Sequence, residues 1–133
     1  MAKIKAVKKE QKHYHYDWNL IQSEGYRFEC MVAVHLQKYV HYLEDTTGRR
    51  VELRYFRDVE SREVDFVITE KGFPLMAVEV KLGDDECSKS LAYFRNKFPK
   101  TPCWQIHLKG KRDYITENGI RVAPALELLK TLV

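Results

Sequence analysis

The chain has 133 residues, 44% hydrophobic and 32% charged, with a formal net charge of +4, enough for one domain with its own core. No apolar run approaches the roughly 18 residues of a membrane helix, and the basic start MAKIKAVKKEQK lacks the apolar stretch of a secretory signal. The charge excess lies in residues 1–12, where Lys3, Lys5, Lys8, Lys9 and Lys12 meet only Glu10, so the remainder is balanced.

Residues 1–16 read as a basic N-terminal arm and residues 17–133 as a single domain. The arm either attracts a polyanion or is simply solvated. His13 and His15 alternate with Tyr14 and Tyr16, a spacing that suits an extended, packing segment better than a metal pair. From Ser23 to Leu43 the pattern is helical: Phe28, Val32, Leu36, Tyr39, Val40 and Leu43 fall within an arc of about 120° at roughly 100° per residue. Thr46-Thr47-Gly48 breaks it. Three strands follow, Val51–Arg57, Glu63–Thr69 and Leu75–Leu82. The short polar connections Asp58–Arg62 and Glu70–Pro74 predict an antiparallel meander. Cys87–Phe98 reads as a second helix stopped by Pro99 and Pro102, and Cys103–Leu108 as a fourth strand. A short strand pair is expected around Ile115–Val122, and Pro124 opens a last helix toward Val133. This order predicts an α/β fold, a mixed sheet flanked by helices. Cys30, Cys87 and Cys103 are odd in number and have no metal-ligand spacing, so reduced thiols in a cytoplasmic protein are expected.

Two charges interrupt the apolar third strand, Glu79 and Lys81. On the second strand, alternation puts Glu63, Asp65, Val67 and Thr69 on one face and Val64, Phe66 and Ile68 on the other. If the strands pair, Asp65 and Glu79 meet on one surface. Opposed carboxylates need a positive partner, and burial would raise their pKa values. Either a divalent cation or Lys81 can serve. Glu29 lies inside the apolar arc of the first helix, about 20° from Leu36, where a carboxylate is costly unless paired or metal-bound. An ion pair of Lys81 with Asp65 or Glu79 is the plain structural alternative to a metal site.

These residues resemble the PD-(D/E)XK nuclease superfamily: "RFECMVAVHL" on the first helix, "REVDFVI" on the second strand and "AVEVKL" on the third. The wider set "YDW…RFECMVAVHL…LRYFRD…REVDFVI…VEVK", from about Tyr16 to Leu108, resembles the C-terminal domain of unknown function of prokaryotic AAA+-type ATPases. The resemblance implies a restriction-endonuclease-like αβββαβ core and hydrolysis of DNA phosphodiesters. It implies that Asp65, Glu79 and the Val80 carbonyl bind Mg²⁺ or Mn²⁺, that Lys81 handles the attacking water, and that Glu29 adds a ligand through water or holds a second ion. Gln105 would hydrogen-bond within the site. Val64-Asp65 stands where the family often has Pro-Asp, and that proline is not a ligand. No G-x-x-x-x-G-K-[ST] sequence occurs, so an ATPase domain would be a neighbour in the same or a partner chain.

Among other candidates, Cys30 and His35 lack a third residue to orient them as nucleophile and base. Tyr93, Phe94, Arg95 and Lys97 could stack on and hold a nucleic-acid strand, although Leu91, Phe94 and Phe98 suit a core stripe. Arg49, Arg50, Arg54, Arg57 and Arg62 either rim a phosphate site or balance Glu52, Asp58, Glu60 and Glu63. Two functions are therefore carried forward: a metal-dependent nuclease domain, and a catalytically silent nuclease-fold module of an ATPase.

Overall fold

A computed structural model describes residues 24–132. The basic arm, the His13–His15 spacing, the tyrosines before Trp18 and the domain boundary at residue 17 lie outside them. Elements run α1 (Glu24–Thr47), β1 (Val51–Arg57), β2 (Glu63–Glu70), β3 (Phe73–Lys81), α2 (Lys89–Lys97), β4 (Cys103–His107), β5 (Tyr114–Ile115), β6 (Arg121–Pro124) and α3 (Ala125–Leu129). No described helix is long and apolar enough to cross a membrane.

The six strands form one mixed sheet in the order β1-β2-β3-β4-β6-β5. β1, β2 and β3 are the expected antiparallel meander. β4 then joins β3 in parallel through the α2 crossover, and β6 joins β4 in parallel. α1 and α3 cover one face, where Phe28, Val32, Leu36, Phe66, Ile68, Val78, Ile106 and Leu128 share a core. α2 covers the other with Leu91 and Phe94 against Phe56, Val64, Val67 and Val122. Burying such side chains contributes roughly 1.5–3 kcal/mol each, so two apolar cores hold the sheet between helical layers. The predicted α/β sheet flanked by helices is the observed one.

Several boundaries move for local reasons. α1 extends to Thr47, not Leu43, because the Thr46 and Thr47 hydroxyls hydrogen-bond back to the Tyr42 and Leu43 carbonyls. Gly48, at φ +70, then ends it and donates its N–H to the Glu44 carbonyl at 2.9 Å, a left-handed cap. The β2–β3 connection is only Lys71-Gly72, both at positive φ, as a type I′ hairpin requires. Pro74 therefore sits inside β3, beside a register shift at Ile68/Thr69, where proline is tolerated. α2 starts after Ser88, whose hydroxyl accepts the Leu91 N–H at 3.2 Å, rather than at Cys87. Pro124 caps α3 from outside its first turn.

Arg95 fastens α2 to the far end of the sheet. Its guanidinium donates to the Asn118 carbonyl at 2.9 Å and the Thr101 carbonyl at 2.6 Å. It is a structural clamp rather than the phosphate contact read from sequence. Truncation leaves two carbonyls short of a charged donor, so Arg95→Ala is expected to lower stability by about 2 kcal/mol, read as a lower urea midpoint with an unchanged m-value.

Candidate functional site

The β2–β3 ladder runs from Glu70↔Phe73 to Phe66↔Val78 and stops there. On its other side β2 carries a bulge: Arg54 pairs with Val67, but Phe56 pairs with Val64, so the extra residue falls within Asp65–Phe66. The bulge overturns the strict alternation expected for β2. Val64 joins Val67 in the α2-side core, while Phe66 and Ile68 face α1. Bulges of this kind re-aim a side chain, and here the re-aimed residue is Asp65. Its Oδ2 accepts the Val80 N–H at 2.9 Å, a bond the terminated ladder no longer makes.

Glu79 is 6% exposed, buried beside α2. Its carboxyl hydrogen-bonds Asp65 and the Ser88 side chain. Burial first, then the hydrogen bond and the like charge of Asp65, push its pKa up to about 9 against the weaker pull of Lys81 and Ser88. Glu79 therefore keeps its proton at neutral pH, as a buried carboxyl beside a second acid does when no cation separates them. Lys81 is half-buried on the same cleft; among the described residues it makes no ion pair within 4.0 Å, so the plain ion-pair alternative is not what these side chains form.

The cleft has a volume of about 420 Å³ and is lined by Phe28 and Glu29 of α1, by Asp65, and by Glu79, Val80 and Lys81. Sequence reasoning thus named residues that do meet. Glu29 is half-buried on the α1 wall, where its charge helps raise the Tyr26 phenol pKa, behind burial and Cys30. Among the described residues, no three His, Cys, Asp or Glu side chains gather as a metal cage. The assembled set is two carboxyls and a strand backbone, with Glu29 across the cleft.

Gln105, 1% exposed and register partner of Glu79 on β4, does not reach into the cleft as a ligand. Its Oε1 accepts the Ser88 N–H at 2.7 Å, and its Nε2 donates to the Asp85 and Glu86 carbonyls at 3.3 and 3.0 Å. It pins the turn that holds the Ser88 hydroxyl toward Glu79 and sets Asp85 on the cleft wall.

The remaining candidates separate cleanly. His35 Nδ1 is 2.9 Å from the Met31 carbonyl of its own helix, so it is not a base for Cys30, which is fully buried. None of the three cysteines is disulfide-bonded, and burial pushes the Cys103 thiol up to about 12. The Arg62 guanidinium stacks over Tyr93 at 3.5 Å, occupying that ring. Arg49 pairs with Glu70 at 2.8 Å, Arg57 with Glu63 at 3.3 Å, Arg62 with Asp58 at 2.6 Å, and Arg54 with Glu52. These arginines mainly balance acids rather than form a phosphate rim. Sequence reasoning missed His107, which is buried on β4; alternation from Gln105 was the signal that could have found it.

Neither a curated protein nor a solved structure matches the chain. A family described as Domain of unknown function (DUF4143) matches residues 24–128, from the first turn of α1 into α3.

Proposed function

We propose that this chain, which belongs to the DUF4143 family of domains of unknown function, is a metal-dependent nuclease of the PD-(D/E)XK kind that hydrolyses DNA phosphodiesters. The observation that carries the reading is the Asp65–Glu79 pair, in which burial and the neighbouring acid keep Glu79 protonated on a cleft wall that also presents Lys81. The order α1-β1-β2-β3-α2-β4, with Asp on the second strand and Glu-x-Lys on the third, supports it.

The donors fit a hard divalent cation such as Mg²⁺ or Mn²⁺, because a cation between the acids supplies the positive charge that a proton supplies without it. Asp65, Glu79 and the Val80 backbone carbonyl would hold it, with Glu29 contributing through water. When bound, the cation polarises a phosphodiester oxygen and acidifies a water. Lys81, on the same cleft, orients that water and steadies the charge that develops as it loses its proton. Gln105 and Ser88 keep Glu79 in place, and such supporting hydrogen bonds are worth roughly 10–100-fold in metal affinity.

The test is incubation of the purified protein with plasmid and single-stranded DNA, with Mn²⁺ or with EDTA. Cleavage in Mn²⁺ that vanishes in EDTA and in Asp65→Asn is expected; cleavage unaffected by Asp65→Asn would overturn the assignment. One observation favours a second reading, a catalytically silent module of an AAA+-type ATPase: Glu79, Asp65, Ser88 and the Val80 N–H already satisfy one another by hydrogen bonds. Binding of Mn²⁺ separates the two, since a silent module has no need of it.

A further inference from the structure

The segment after β4, Leu108–Asp113 (LKGKRD), carries Lys109, Lys111 and Arg112, and its backbone is fixed along its length. The Leu108 N–H donates to the Lys81 carbonyl at 3.3 Å and the Lys109 N–H to the Leu82 carbonyl at 2.7 Å, prolonging the β3–β4 pairing. Asp84 Oδ1 accepts the N–H groups of Lys111 and Arg112, each at 3.0 Å. His107, 1% exposed, places Nε2 2.8 Å from the Arg112 carbonyl, to which it donates. Gly110 packs so closely that a Cβ there would lie 2.3 Å from Asp84 Oδ1 and 2.6 Å from His107 Nδ1. The loop is therefore a rigid platform that only glycine permits at its centre.

The platform borders the cleft on both sides. It hangs from Lys81 and Leu82, which line one wall. Lys109 reaches the other, pairing with Glu24 in the first turn of α1 at 2.6 Å, next to the cleft residue Gly25. Arg112 lies over the Tyr114 ring at 4.7 Å, and neither it nor Lys111 has a side-chain ion pair within 4.0 Å among the described residues. Arg49, Arg54, Arg57 and Arg62 are, by contrast, committed to carboxylates. Asp84 lies beneath the loop and feels the Arg112 charge, but it is tied to the loop's backbone N–H groups. Exposed cations on a fixed backbone bordering a cleft are what a polyanion's backbone contacts.

We propose that this loop is a backbone-phosphate anchor, in which Lys111 and Arg112 grip the DNA strand entering the cleft and so select which phosphodiester reaches Glu79 and Lys81. The ligand class rests on the nuclease reading. The two ideas are tested apart by measuring the binding of a labelled DNA duplex in EDTA, where no cleavage occurs, at several salt concentrations. Lys111→Gln/Arg112→Gln is compared with Lys71→Gln/Lys100→Gln, an equal charge change at exposed lysines of the β2–β3 turn and the segment after α2. Each phosphate contact on duplex DNA adds about 0.9 to the slope of log K against log salt. The anchor variant is expected to bind about tenfold more weakly at 0.1 M salt, with a slope shallower by about 1.8. It should melt at the wild-type temperature, while the remote variant keeps the wild-type slope. An unchanged slope, an equal change in the remote variant, or no DNA binding by the wild-type protein would overturn the anchor. Binding with the expected slopes but no Mn²⁺-dependent cleavage would overturn the nuclease reading and leave the anchor standing.

Discussion

Glu79→Gln is expected to raise the stability of the metal-free protein at pH 8, by up to about 5 kcal/mol, and to leave it unchanged near pH 4. In the folded chain the Glu79 pKa is raised from 4.5 to about 9, whereas the unfolded chain titrates in the ordinary carboxylate range. Between those values the native state binds a proton that the unfolded state has released. Stability therefore falls as pH rises, by up to a tenfold change in the folding equilibrium per pH unit, and the stabilising proton is fully present below the unfolded pKa. Glutamine keeps a neutral group against Asp65 and Ser88 without titrating. The wild-type and variant curves should meet near pH 4 and diverge above pH 5, read from urea midpoints. The lowered pKa values of Asp58, Glu70, Asp84 and Asp113 act the other way, losing their stabilisation as pH falls through the folded values, and both proteins share them. A variant less stable than wild type at pH 8 would mean that Glu79 works as a structural anion. Saturating Mn²⁺ should then stabilise wild type, by mass action on the native state, and leave Glu79→Gln unmoved.

Lys81→Met is the second large effect: DNA cleavage in Mn²⁺ is expected to fall by about 10²–10³-fold, the range for removing one group that stabilises developing charge. Lys81 lines the cleft without an ion pair among the described residues, so its removal takes away a function rather than a structural support. Its Mn²⁺ affinity should stay equal to or exceed that of wild type, because a cation next to the ion is lost. Asp65→Asn, by contrast, should lose cleavage and Mn²⁺ binding together. Single-turnover rates at saturating Mn²⁺ make the comparison, and a Lys81→Met protein cutting at the wild-type rate would remove lysine from the chemistry.

The meander was legible because β1, β2 and β3 each bring their own apolar pattern, and short polar stretches leave little choice of connection. The tightness of the β2–β3 turn was not, since Pro74 reads locally as a breaker and becomes tolerable only beside a register shift. The meeting of Asp65 with Glu79 was expected from alternation, yet it is reached through a bulge that alternation forbids. A bulge is set by the pairing of two strands and leaves no mark on one of them. The fate of the arginines depended likewise on register: Arg49 meets Glu70 across the β1–β2 ladder, a partner 21 residues away. Glu29 was drawn to the cleft by the helical period, but period alone does not bring a carboxylate into a shared cage. Gln105 was assigned to the site, and its actual work, holding the Asp85–Ser88 turn, follows from a loop geometry no pattern encodes. The cations of Leu108–Asp113 stood in plain view in the sequence; what was missing was the Asp84 clasp that turns them into a surface.

A nuclease site here requires a cation that displaces the proton held by Glu79. Titration calorimetry with Mn²⁺, at pH 6, 7 and 8 and in buffers of different ionisation heat, addresses it most directly. Binding should release about one proton, and affinity should rise about tenfold per pH unit across that range. Both features should vanish in Glu79→Gln. No binding at millimolar Mn²⁺, or binding that ignores pH and persists in Glu79→Gln, would contradict it.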